Sequence, residues 1–152
     1  MKFFTSYFYN IRFFKPYQIP LSTAVWDPKW FHEFKDQEHI WKDKNGVWNG
    51  LRIEELNPQS CHASGCPCDI REPENCRFIR EYKEGLEKID FEKMLGDIER
   101  LVSYIQSQEK FEEEPEVILI VHEAKDNPCS ERNSIQELFR EHGFEIEEWI
   151  CG

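Results

Sequence analysis

The chain reads as a single compact α/β domain, a small and mostly parallel sheet flanked by helices with a cysteine-containing irregular insertion. Three observations predict this. Val117 to Val121 is an unbroken run of β-branched and leucine side chains, the composition of a strand covered on both faces. A loop, an amphipathic helix and a last strand-like segment follow it, and a strand–helix–strand order implies a parallel pair with a right-handed crossover. The length of 152 residues suits one domain, spanning 1–152, with a core large enough to need neither metal nor disulfide.

Taken in order, Phe3 to Tyr9 is rich in β-favouring aromatics and reads as a first strand. Pro16 and Pro20 punctuate the chain, and Leu21 to Val25 reads as a second, short strand. Asp27-Pro28 supplies a helix start, with Asp as N-cap and Pro at the first helical position, leading into Lys29 to Phe34. His32 and His39 fall on or just past that helix and read as structural or solvated. Residues 43–77 have little periodicity and hold Gly46, Gly50, Pro58, Gly65, Pro67 and Pro73, so they form a long irregular excursion. Loops of that length are uncommon unless functional or braced.

From Glu74 the pattern is helical, with Phe78, Ile79, Tyr82, Leu86 and Ile89 on one face. Asp90 can cap a second helix carrying Phe91, Met94, Leu95, Ile98, Leu101, Val102 and Ile105 at a 3.6-residue period. Glu112 to Glu116 is a solvated acidic connector into the Val117 strand. Beyond the loop 124–128, Cys129-Ser130-Glu131-Arg132 opens a helix with Ile135, Leu138 and Phe139 inward and Gly143 as its stop. Phe144 to Trp149 reads as the last strand.

Composition narrows the function classes. The net charge is −11, from 19 basic and 30 acidic side chains. That sign disfavours an extended nucleic-acid backbone or an anionic membrane. The charge is uneven: residues 1–60 carry 8 basic and 7 acidic side chains, whereas 61–152 carry 11 and 23. No apolar run approaches the roughly 20 residues of a transmembrane helix. Thr5, Ser6, Asn10 and Arg12 interrupt the aromatic N-terminus before a signal-peptide core can form. The expectation is a cytoplasmic chain whose six cysteines meet a reducing environment.

Three constellations could carry chemistry. Cys61, Cys66, Cys68 and Cys76 are spaced C-x4-C-x-C-x7-C, with His62 as a substitute ligand. A loop bearing Gly65 and Pro67 could wrap four such donors around a structural Zn2+; the alternative is a set of reduced thiols. The second constellation is the strand-to-helix junction 122–132. Ligands in parallel sheets sit beyond the carboxyl ends of strands, and helix N-termini offer N–H groups to anions. Here Glu123 or Cys129 could act as base or nucleophile, Arg132 as an anion clamp, and His122 and Ser130 as binding groups. The alternative is capping, with Ser130 as N-cap. The third is the N-terminal aromatic and basic set of Tyr7, Tyr9, Arg12, Phe13, Phe14, Lys15 and Tyr17, which could stack a base or simply pack the core. Tyr7, Arg12 and Trp26 are plausible additions to the junction site.

Several scattered segments together resemble the bacterial and phage family known as domain of unknown function 488. They are Thr5-Ser6-Tyr7-Phe8, Ser22 to Trp30, Cys76-Arg77-Phe78-Ile79, Ile89-Asp90-Phe91 and Val117 to Arg132, spread over nearly the full length. The resemblance implies a compact α/β domain with a site near Glu123 and Cys129. Many relatives carry a cysteine before the glutamate and a Cys-His-Arg triplet at the helix start. This chain has Val121-His122 and Cys129-Ser130-Glu131-Arg132 instead, which leaves thiol- or His-based catalysis shared with them unsupported.

The functional expectation is a small phosphorylated or nucleotide-like ligand at the junction 122–132, with or without turnover. The alternative is an acidic protein-interaction module, a phage or host factor with a zinc-braced cysteine loop, meeting a protein partner through its acidic C-terminal half.

Overall fold

The computed structural model describes residues 1–32, 40–58, 76–125 and 130–151. Among these, four strands form one parallel sheet in the order β2-β5-β1-β6, with β1 at Lys2–Tyr7, β2 at Gln18–Ser22, β5 at Glu116–Val121 and β6 at Ile146–Glu148. A two-residue antiparallel pair, β3 at Trp41–Lys42 and β4 at Trp48–Asn49, stands apart from it. The helices are α1 at Arg77–Leu86, α2 at Phe91–Gln108 and α3 at Arg132–Glu141.

The α/β reading is thus what the structure contains, and the Val117 strand lies inside the sheet, flanked by β2 and β1. Val117 to Val121 are all fully buried, because alternate side chains feed two separate cores. Val117, Leu119 and Val121 join the helical core with Met94, Ile98, Ile105, Ile135 and Phe139. Ile118 and Ile120 join a second core on the other face with Phe8, Ile11, Phe14 and Phe31.

The helices follow their sequence patterns. Asp90 caps α2 by accepting the Lys93 N–H at 3.1 Å. Gly143 ends α3 at φ +86°, with the Phe144 N–H on the Phe139 carbonyl and the Gly143 N–H on that of Arg140. That double closure is a Schellman stop, and only glycine enters its left-handed step without strain.

Several expectations need correction. The final strand–helix–strand unit is parallel, but β1 lies between its two strands, so they are not neighbours. The first strand ends at Tyr7, and Phe8–Phe13 turns into a 3-10 helix. The second spans Gln18–Ser22 rather than Leu21 to Val25; Pro20 sits in it at the sheet margin. Asp27-Pro28 opens only a 3-10 turn, Lys29–Phe31, and Asp27 caps nothing there. The front of the 43–77 excursion is ordered: Val47, Asn49, Leu51 and Ile53 are buried at every second position. Segment 51–53 closes the margin of β2 through Ser22 N–H to Leu51 carbonyl and Ile53 N–H to Ser22 carbonyl bonds, both 2.9 Å. Residues 59–75 of the excursion lie outside the described residues.

Candidate functional site

The topology creates one privileged place. From the end of β1 the chain turns onto the face holding Phe8 and Ile11, whereas from the end of β5 it turns toward the face holding Ile135 and Phe139. Neighbouring strands whose connections leave on opposite faces open a crevice at their carboxyl ends, where ligands of parallel sheets bind. Tyr7, His122, Glu123, Ser130, Arg132 and Glu148 all belong to this end of the sheet.

Arg132 is the centre of the arrangement. It starts α3 yet is only 3% exposed, so its guanidinium runs inward. Nη2 donates to the Glu123 carbonyl at 2.5 Å, which fastens the loop after β5 to the helix start. Nε lies 3.1 Å from Oε1 of Glu148, close enough for an ion pair but off the hydrogen-bond direction. Among the described residues, Nε and Nη1 have no hydrogen-bond partner, and neither does Oε2 of Glu148. Burial lowers the Arg132 pKa against the opposing fields of Glu148, Glu123, Glu131 and Tyr7.

Three carboxylates surround it. Glu148 Oε1 accepts from the Thr5 hydroxyl at 2.8 Å, and Gln136 Nε2 donates to the same hydroxyl oxygen at 2.7 Å. Burial still raises the Glu148 pKa, against the lowering by Thr5, Arg132 and Lys125. Glu123 Oε2 accepts from the Ser130 hydroxyl at 3.3 Å. Glu131 is pushed up to about 8, first by burial and then by the charge of Glu123. At neutral pH it therefore holds a proton for most of the time.

Ser130 is fully buried, and its oxygen accepts the Arg132 N–H at 3.2 Å; the N-cap of α3 is Glu131 rather than Ser130, which braces the turn one position before it. His122 donates from Nε2 to the Trp26 carbonyl at 2.7 Å, with the two rings 4.7 Å apart. It ties the loops after β2 and β5 together, and Trp26 stays 58% exposed at the rim. Arg12 does not join this group. Its guanidinium stacks on Tyr9 at 3.9 Å, over a groove on the other face. Cys129, together with residues 126–128 of the loop, lies outside the described residues.

A second polar hub stands at the end of β2, unanticipated from the sequence. Asp27 accepts from the Ser22 hydroxyl, from Arg52 Nη1 and from His32 Nε2, the last at 2.6 Å. Arg52 also donates to the carbonyls of Ala24 and Val25. A buried carboxylate with three donors is satisfied, and the hub holds the 22–32 loop in place. Ser22, Asp27 and His32 follow one another at five-residue steps that match no helical or strand period, and Arg52 arrives from 25 residues away. Glu148 did have a signal: it continues the inward alternation of Ile146 at the carboxyl end of a strand.

Of the proposed metal ligands, Cys76 is a buried free thiol packed with Phe78 and Ile79. Cys61, His62, Cys66 and Cys68, like His39, lie outside the described residues. Among the described residues no group of three His, Cys, Asp or Glu side chains is placed to hold a metal ion, and no helix is long and apolar enough to cross a membrane. Comparison with family models, with curated proteins and with solved structures finds no match to the chain. The functional reading therefore rests on the chain's own residues.

Proposed function

We propose that the chain binds a small ligand through a single anionic group, a phosphomonoester or nucleotide-like molecule, at the junction 122–132 with Arg132 as clamp. The observation that carries this is the Arg132 guanidinium, almost fully buried at the carboxyl end of the sheet with Nε and Nη1 lacking hydrogen-bond partners among the described residues. A buried cation with unfilled donors favours an acceptor.

The surrounding charges limit what fits. With Glu131 protonated at neutral pH, Arg132 and Lys125 balance Glu123 and Glu148. A phosphomonoester, at about −2 near neutral pH, brings less negative charge beside Glu123 and Glu148 than a polyphosphate would. Tyr7, Trp26, His122 and Ser130 are the proposed neighbours of the bound molecule. A proton-bearing Glu131 near neutral pH is suited to general acid chemistry; in an enzymatic version Glu123 or Cys129 supplies the base or nucleophile.

Calorimetric titration with inorganic phosphate and simple phosphomonoesters tests the reading. Arg132→Lys keeps the charge but loses the fork of donors, and is expected to weaken binding about tenfold or more. Absence of saturable binding to every compound, or equal affinity in Arg132→Lys, would overturn it.

A further inference from the structure

On the face of the sheet away from the helices, the turn after β1, the Lys29–Phe31 turn and the β3–β4 pair leave a groove of about 640 Å³. That volume lies within the roughly 300–1,000 Å³ of small-molecule sites. Its walls are aromatic: Phe8, Tyr9, Phe13, Trp30 and Trp41. Tyr9, Phe13 and Trp30 are each close to half exposed, an unusual amount of ring surface to leave facing solvent.

Two features make this more than an apolar patch. The first is Asn49, which lines the groove and is 1% exposed. Its Nδ2 donates to Asp43 Oδ2 at 3.2 Å and to the Val47 carbonyl at 3.1 Å. Those two acceptors fix the amide orientation, so the atom left over is Oδ1, an acceptor without a partner among the described residues. A buried acceptor in that state favours a ligand that brings an N–H.

The second feature is charge. Arg12 and Lys44 line the groove, and neither forms an ion pair among the described residues. One carboxylate stands beside them, Asp43, whose Oδ1 takes the N–H groups of Asn45 at 2.9 Å and Val47 at 3.0 Å, so two cations face one anion. Arg12 is held over the Tyr9 ring, with Nε on the Tyr9 carbonyl at 3.0 Å. The groove is thus locally cationic in a chain of net charge −11.

We infer that this groove is a second ligand site, which takes a free nucleoside monophosphate whose base bears an exocyclic amine. The base lies between the aromatic walls, its amine donates to Asn49 Oδ1, and its phosphate meets Arg12 and Lys44. A single phosphate is matched by two cations, whereas a polynucleotide would carry further charges over the acidic remainder of the chain. The groove shares no lining residue with the Arg132 junction, although Phe8 packs on His122 and Tyr9 on Tyr7, and the inference does not rest on that site.

The test is calorimetric titration of the full chain with AMP. AMP is itself a phosphomonoester, so the titration is made in an Arg132→Lys background that weakens the junction; the expected result there is one saturable site, weakened about tenfold or more when the amine is replaced by dimethylamino, which cannot donate to Asn49. Arg12→Glu and Trp30→Ala, both at exposed side chains, should each weaken AMP by a similar factor with the circular dichroism spectrum retained. No saturable binding overturns the inference, as does equal affinity for the dimethylamino analogue. Binding lost in Arg132→Lys but kept in Arg12→Glu also overturns it and moves the ligand to the junction. Tighter binding of an oligoadenylate than of AMP, or saturation by a proline-rich peptide with no response to AMP, assigns the groove to another occupant.

Discussion

Glu131 and Arg132 are adjacent in sequence, both buried, and pushed by the same burial toward the neutral state. Stability should register this. The folded state holds the Glu131 proton up to about pH 8, whereas an unfolded chain releases it near 4.5. Between those values the native state binds more protons, so this contribution is complete below the unfolded pKa and is lost as pH rises through the folded one. The raised Glu148 acts in the same sense. Glu131→Gln keeps the shape and removes the titration. It is expected to be about 2 kcal/mol more stable than the native chain near pH 8, or roughly 4–8 °C in Tm, and indistinguishable near pH 5. Thermal melts across that range decide. A variant that is less stable at every pH would mean that a Glu131–Arg132 ion pair outweighs the cost of burying the charge.

At the level of elements, what was legible depended on how local the cause was. The period of α2 and the Asp90 cap lie within one stretch of chain, and so does the Gly143 stop. The β5 run announces its burial on both sides by composition alone. Asp27 misled because Asp-Pro is a local cap signal, whereas the carboxylate is claimed by Ser22, His32 and Arg52, the last 25 residues away. The β3–β4 pair is two residues per strand, too short for a periodic signal, and its alternation continues only through Leu51 and Ile53. The site followed the same rule. His122, Glu123, Ser130 and Arg132 are one loop and were visible together, while Glu148 and Thr5 arrive through β6 and β1. The spacing of Cys61, Cys66, Cys68 and Cys76 is a proposal of the same local kind. Protein purified without added zinc is expected to carry close to one equivalent by elemental analysis; less than about a tenth, with four freely titrating thiols, would sink the proposal.

Over the whole molecule, charge is set against compactness. With 30 acidic and 19 basic side chains the folded chain repels itself, and repulsion that extends over many residues is screened by salt. Salt also weakens attractive pairs, so the sign of its effect depends on which contribution is larger. The pairs on the helices are exposed: Arg77–Glu81, Lys93–Asp97 and Lys83–Glu137 each have at least one side chain largely in water. Exposed pairs contribute about 0–1 kcal/mol each and much of the spread is near zero. Buried contacts such as His32–Asp27 are screened little. Net repulsion therefore outweighs the lost pairs, and Tm should rise by a few degrees between about 20 mM and about 200 mM sodium chloride near pH 8. The same salt step near pH 5, where the sequence pI of 4.9 leaves little net charge, should change Tm far less or lower it slightly. Melting curves at the two pH values separate the contributions. A fall in Tm with salt near pH 8 would mean that the surface pairs, taken as a network, outweigh the excess of acid.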